Sequence, residues 1–81
     1  MPVIFREKGF LFFFYSNEGE PRESLHVHVR KGSSIAKYWI KPNVFVVDSY
    51  GFSSSELNDL AGIIENNVDL IERFWNDYFG E

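Results

Sequence analysis

The chain has 81 residues, no cysteine, and a formal charge of −4 from 12 acidic and 8 basic residues. That length sets one domain over residues 1–81. Without cysteine there is no disulfide and no thiolate metal site, and the acidic balance argues against a non-specific grip on DNA or RNA. No apolar run approaches the roughly 20 residues that span a bilayer, and the start is not that of a signal peptide, because charge follows the apolar residues. A cytoplasmic protein with no membrane partner is expected.

A domain this small buries only about 60–65% of the surface of its unfolded chain. This one compensates with rings: nine Phe, four Tyr and two Trp make 19% of the residues. Each ring buries about 150–250 Å². Hiding all of them is hard, so part of the aromatic surface is expected to meet a second polypeptide. The alternative is a core unusually rich in rings.

Residues 3–6 are apolar and β-prone, and Glu7-Lys8-Gly9 reads as a turn. Phe10 to Tyr15 is an unbroken aromatic and aliphatic run of strand length, suited to a strand covered on both faces. The two segments form a hairpin. Residues 16–24 are polar, with Gly and Pro, and read as a loop. Leu25 to Arg30 returns to strand character, Lys31 to Ser34 turns, and Ile35 to Lys41 is a further strand ended by Pro42-Asn43. Val44 to Val47 is a short apolar run, followed by Asp48-Ser49-Tyr50-Gly51.

The last third is helical. Ser53 with Glu56 three residues on makes a capping box, and Leu57, Leu60, Ala61 and Ile64 share one face. Val68, Ile71, Trp75 and Tyr78 form a second apolar stripe, closed by Gly80. Asn66-Asn67 is expected to separate two helices, one asparagine ending the first in the left-handed conformation and the other capping the second. The spacing of 57, 61, 64, 68, 71, 75 and 78 also fits one long helix. The fold class is therefore α+β: an antiparallel sheet of four to five strands over roughly residues 3–47, with two C-terminal helices, roughly 53–66 and 68–79, packed on one face.

Chemistry concentrates at His26-Val27-His28-Val29. Alternation along a strand puts both imidazoles on one face, about 6.5–7 Å apart along the chain. The valines face the helices, so the histidines are expected on the open face. They are the only two histidines in the chain. The pair is a candidate catalytic or metal site, with Glu18, Glu20 or Glu23 of the preceding loop, or Asp48, as further ligands or acid–base partners. The competing reading is two strand histidines that pack and hydrogen-bond. No cofactor is expected other than a divalent metal at that pair. A third histidine would have strengthened the site, but Arg30 stands where it would fall. Arg22, Arg30 and Trp39 are candidate contact residues for a partner. Arg22, Arg30, Lys31, Lys37 and Lys41 make the one local basic group, the basis of a nucleic-acid reading that ranks last.

Several features recur in one order: Met-Pro-Val-Ile, the aromatic strand Phe12-Phe13-Phe14-Tyr15, an acidic loop with proline, the His-x-His string at 26–28, Ala-Lys-Tyr-Trp at 36–39, and the helical tail Asp69-Leu70-Ile71-Glu72-Arg73-Phe74-Trp75. Across essentially its whole length the chain resembles the DUF4160 family of small prokaryotic proteins. Many members read Pro-Pro-His-Phe-His-Ala where this chain has Glu23 to Val29, and many carry a further loop histidine where this chain has Asn17, Glu18 and Glu20. The resemblance implies a protein partner. Genes of that family often lie beside a small gene of the DUF2442 type, in an arrangement like a toxin–antitoxin pair. The expected function is a protein-interaction module in such a two-gene cassette, binding a small partner protein encoded nearby or itself. The alternative is a small metal- or histidine-dependent hydrolase or nuclease that uses the His26/His28 face.

Overall fold

The computed structural model describes residues 2–16 and 24–80. Five strands come first: β1 (Val3–Glu7), β2 (Phe10–Phe13), β3 (His26–Lys31), β4 (Ser34–Trp39) and β5 (Phe45–Tyr50). Two helices follow, α1 (Ser54–Glu65) and α2 (Val68–Phe79). The strands form one antiparallel sheet in the order β1-β2-β3-β4-β5, a meander in which each strand pairs with its neighbour in sequence. The α+β class is as the sequence implied.

Turn chemistry sets the register. Lys8 and Gly9 both hold positive φ, 53° and 84°, between the paired residues Glu7 and Phe10. That is the pattern of a two-residue turn whose twist matches the strands. Gly32, at φ 61°, opens the corresponding turn between Lys31 and Ser34.

Alternation then sorts the rings. Phe10, Phe12 and Phe14 join Val27, Val29, Ala36 and Tyr38 against Leu60, Ile63 and Ile64 of α1 and Ile71 and Trp75 of α2. Phe5 stacks on Phe12 across the β1–β2 pair at 4.4 Å. Trp75 packs edge-on to Phe14 at 5.1 Å. The Tyr38 hydroxyl donates to the Leu57 carbonyl at 2.6 Å, tying β4 to the first turn of α1. Burial pushes the Tyr38 phenol up to about 12. Phe13 is also fully buried, but on the opposite face, against His28 and Tyr15. On this second face the run is covered at Phe13, while Leu11 is half-buried and Tyr15 is exposed.

The helix boundaries follow from capping. The Ser53 side chain accepts from the Glu56 amide at 3.1 Å, and the Glu56 carboxylate accepts from the Ser53 amide at 2.9 Å. Two helices form rather than one, but not by the expected asparagine conformations. Asn66 stays right-handed at φ −75°, and Asn67 sits at φ −126°. Asn67 makes no side-chain cap to α2. Its amide group instead donates to the Ile63 carbonyl at 2.7 Å, satisfying an acceptor at the end of α1. Gly80 closes α2 in the left-handed region.

Two boundaries differ from expectation. The sheet runs to Tyr50 rather than stopping at Val47, because Asp48, Ser49 and Tyr50 pair with Lys37, Ala36 and Ile35. In α2 the buried stripe is Ile71 and Trp75 with Phe79 against it, while Tyr78 is half exposed. A step of four from Trp75 reaches the core side; a step of three points outward.

Candidate functional site

The face of the sheet away from the helices carries His26 and His28 on β3, Phe13 and then Tyr15 at the end of β2, Trp39 and Lys37 on β4, and Phe45, Asp48 and Tyr50 on β5. The two imidazoles do share this face, with ring centroids 5.2 Å apart and nearly perpendicular planes.

They lie on the open face as expected, but they are buried within it: His26 is 0% and His28 8% accessible, which corrects the expectation of an exposed pair. The reason is the aromatic content around them. Phe13 stacks on His28 at 5.6 Å, and Tyr15 meets it edge-on at 4.5 Å. Trp39 and Trp75 flank His26 at 5.5 and 5.1 Å. His26 Nδ1 lies 2.8 Å from the Ser24 carbonyl oxygen. A carbonyl only accepts, so Nδ1 donates, and the neutral ring carries its lone pair on Nε2. Among the described residues no buried side-chain nitrogen or oxygen lacks a hydrogen-bond partner.

Glu18, Glu20, Glu23 and Arg22 lie outside the described residues. Among those described, no cluster of three or more His, Cys, Asp or Glu side chains is placed to hold a metal. Asp48 shares a groove with His28 but not with His26: with Tyr15, His28, Ile35, Lys37 and Tyr50 it lines a space of about 230 Å³. Pockets for drug-sized ligands run to about 300–1,000 Å³, so the groove suits one inserted side chain.

Among the described residues the basic side chains do not form one patch. Arg30 lies over the Phe13 ring at 5.6 Å and Lys37 over Trp39 at 4.8 Å, both on the open face. Lys31 lies over Phe10, whose ring belongs to the helix-side core, at 4.9 Å. Lys41 pairs with Glu72 of α2 at 3.0 Å.

Strand β5 is the feature that reading the residues one by one missed. It is an edge strand, and all six of its residues are exposed. Phe45, Val46, Val47 and Tyr50 present large apolar side chains to solvent. The signal was available: in a meander the last strand is an edge, and this one is as apolar as the strands inside. Trp39, a candidate contact residue, pairs directly with Phe45 at the head of that edge.

Fold and site together define a small meander sheet backed by two helices, with an aromatic open face and an apolar edge. The family model described as Domain of unknown function (DUF4160) matches residues 9–76, and the chain belongs to that family. No curated protein and no solved structure matches it. Among the described residues no helix is long and apolar enough to cross a membrane.

Proposed function

We propose that the chain is a protein-interaction module, one half of a two-gene cassette of the toxin–antitoxin kind, and that it docks an extended segment of another polypeptide on β5. One observation carries this reading: β5 is a six-residue edge strand exposed throughout, with four large apolar side chains and, among the described residues, no strand paired along its outer side. Such edges template pairing with another chain, and proteins normally blunt them with lysine, proline or a covering element. In strand addition, main-chain hydrogen bonds supply affinity and side-chain pockets supply specificity. The groove beside Asp48 and Tyr50 supplies such a pocket.

The test is co-expression with the DUF2442-type protein of the neighbouring gene, for the parent chain and Val47→Lys. A complex is expected for the parent, weakened at least tenfold by a lysine on the edge. Equal binding by Val47→Lys, or an edge that pairs neither with that protein nor with a second copy of the chain, removes this reading.

The hydrolase or nuclease reading has one supporting observation, that His28 and Asp48 line the same groove. Calorimetric titration with Zn²⁺ and Mn²⁺ separates the two. Micromolar binding that is lost in the His26→Ala/His28→Ala double variant puts catalysis first; heats that the variant leaves unchanged remove it.

A further inference from the structure

We infer that the strand docked on β5 is β5 of a second copy, paired antiparallel about a two-fold axis between Val47 and Asp48. The inference rests on β5 being a docking edge and names its occupant.

The register within the sheet carries the argument. In a regular strand, residues five apart point to opposite faces. Phe45 and Tyr50 do not, because they pair with Trp39 and Ile35, which lie four apart on β4 and so share a face. The irregularity opposite Lys37 and Tyr38 absorbs one extra residue of β5. Phe45, Asp48 and Tyr50 therefore line the open face, while Val46 and Ser49, opposite Tyr38 and Ala36, line the helix face.

A two-fold axis between Val47 and Asp48 then matches like faces. Phe45 falls opposite Tyr50 of the second copy, Val46 opposite Ser49, and Val47 opposite Asp48. Each aromatic pair occurs twice, and aromatic cross-strand pairs are among the favourable ones. A bulge ordinarily twists an edge away from partners. Here it sits on the axis, so both copies bend alike and the ladder resumes on either side. Between Phe45 and Tyr50 there is no lysine, arginine or proline to block pairing.

The second copy also completes a site. Asp48, Ser49 and Tyr50 line the β5 side of the groove. Phe45 of the second copy, directly opposite Tyr50 on the same face, becomes its outer wall. Two identical grooves result, facing the same side of one continuous ten-stranded sheet. Specific interfaces usually bury about 1,200–2,000 Å². One strand pair falls below that, so the dimer is expected to dissociate on dilution. The main opposing term is the two Asp48 carboxylates, which lie diagonally across the axis.

Sedimentation equilibrium over a hundredfold concentration range tests this. The parent chain is expected to pass from monomer to dimer. Phe45→Lys/Tyr50→Lys, which places like charges opposite each other, is expected to stay monomeric while melting like the parent. Phe45→Lys/Tyr50→Glu is expected to recover the dimer, because each lysine then faces a glutamate of the other copy. Asp48→Asn is expected to tighten it several-fold. A parent chain that stays monomeric throughout, or a dimer indifferent to the lysine pair, overturns self-pairing. In that event the docking reading is judged separately: it survives if Val47→Lys still weakens the complex with the neighbouring gene's product, and falls if that variant binds as the parent does.

Discussion

Trp75→Ala is expected to destabilise the domain by about 3–5 kcal/mol, the usual cost of removing a buried large ring. The indole is 4% accessible and joins α2 to the sheet. It packs against Phe14 of the sheet at 5.1 Å, Phe79 of its own helix at 4.5 Å and His26 at 5.1 Å. Domains are stable by roughly 0.05–0.15 kcal/mol per residue, or about 4–12 kcal/mol for a chain of 81. The substitution therefore removes about a quarter or more of the total. Urea titration followed by far-UV circular dichroism measures it. Trp75→Phe, which keeps a ring, is expected to cost about half as much or less. Tyr78→Ala, three residues on and half exposed, is expected to stay within about 1 kcal/mol. If Trp75→Ala unfolds at the parent's midpoint, the packing of α2 on the sheet is wrong as described.

Stability is expected to fall steeply between pH 10 and pH 12 through one identifiable group, Tyr38. Its phenol ionises near 10 in the unfolded chain and at about 12 in the fold, because burial disfavours the phenolate. A raised folded-state value means that the fold favours the protonated form. The contribution is thus complete below pH 10 and is lost as pH climbs through 12. Its size is about 2–3 kcal/mol. Tyr38→Phe isolates it from the other groups that titrate in alkali. Below pH 10 the variant is expected to be less stable by about 1–2 kcal/mol, having lost the hydroxyl bond to the Leu57 carbonyl. Toward pH 12 that gap is expected to close and reverse, since phenylalanine has nothing to ionise. A gap that stays constant from pH 8 to pH 12 sinks the assignment.

The proposed interface draws on the same balance of rings and space. An 81-residue chain with fifteen aromatic side chains fills its helix-side core with Phe10, Phe12, Phe14, Tyr38 and Trp75, and buries Phe13 on the other face. Of the rings left outside, Tyr15 stands on the open face. Phe45 and Tyr50 occupy the two ends of one edge strand, where pairing with another chain would cover them together. Phe74 and Tyr78 form a smaller exposed pair on α2.

Much of this was written locally in the sequence. The capping box at Ser53 and Glu56, the Lys8-Gly9 turn and the burial of Val27 and Val29 toward the helices each depend on a few neighbouring residues, so the pattern of the chain determined them. The shared face of His26 and His28 follows from strand alternation alone. Their burial does not, because it comes from Phe13, Tyr15, Trp39 and Trp75, brought from three other elements. The break between the helices was legible at Asn66-Asn67, yet the bond that Asn67 makes back to Ile63 appears only once the turn has closed. The character of β5 was decided last. Its composition fits an interior strand as well as an edge, and only the order of strands leaves its outer side without a partner. The extra residue that puts Phe45 and Tyr50 on one face is likewise a property of pairing with β4, invisible to a pattern read along a single strand.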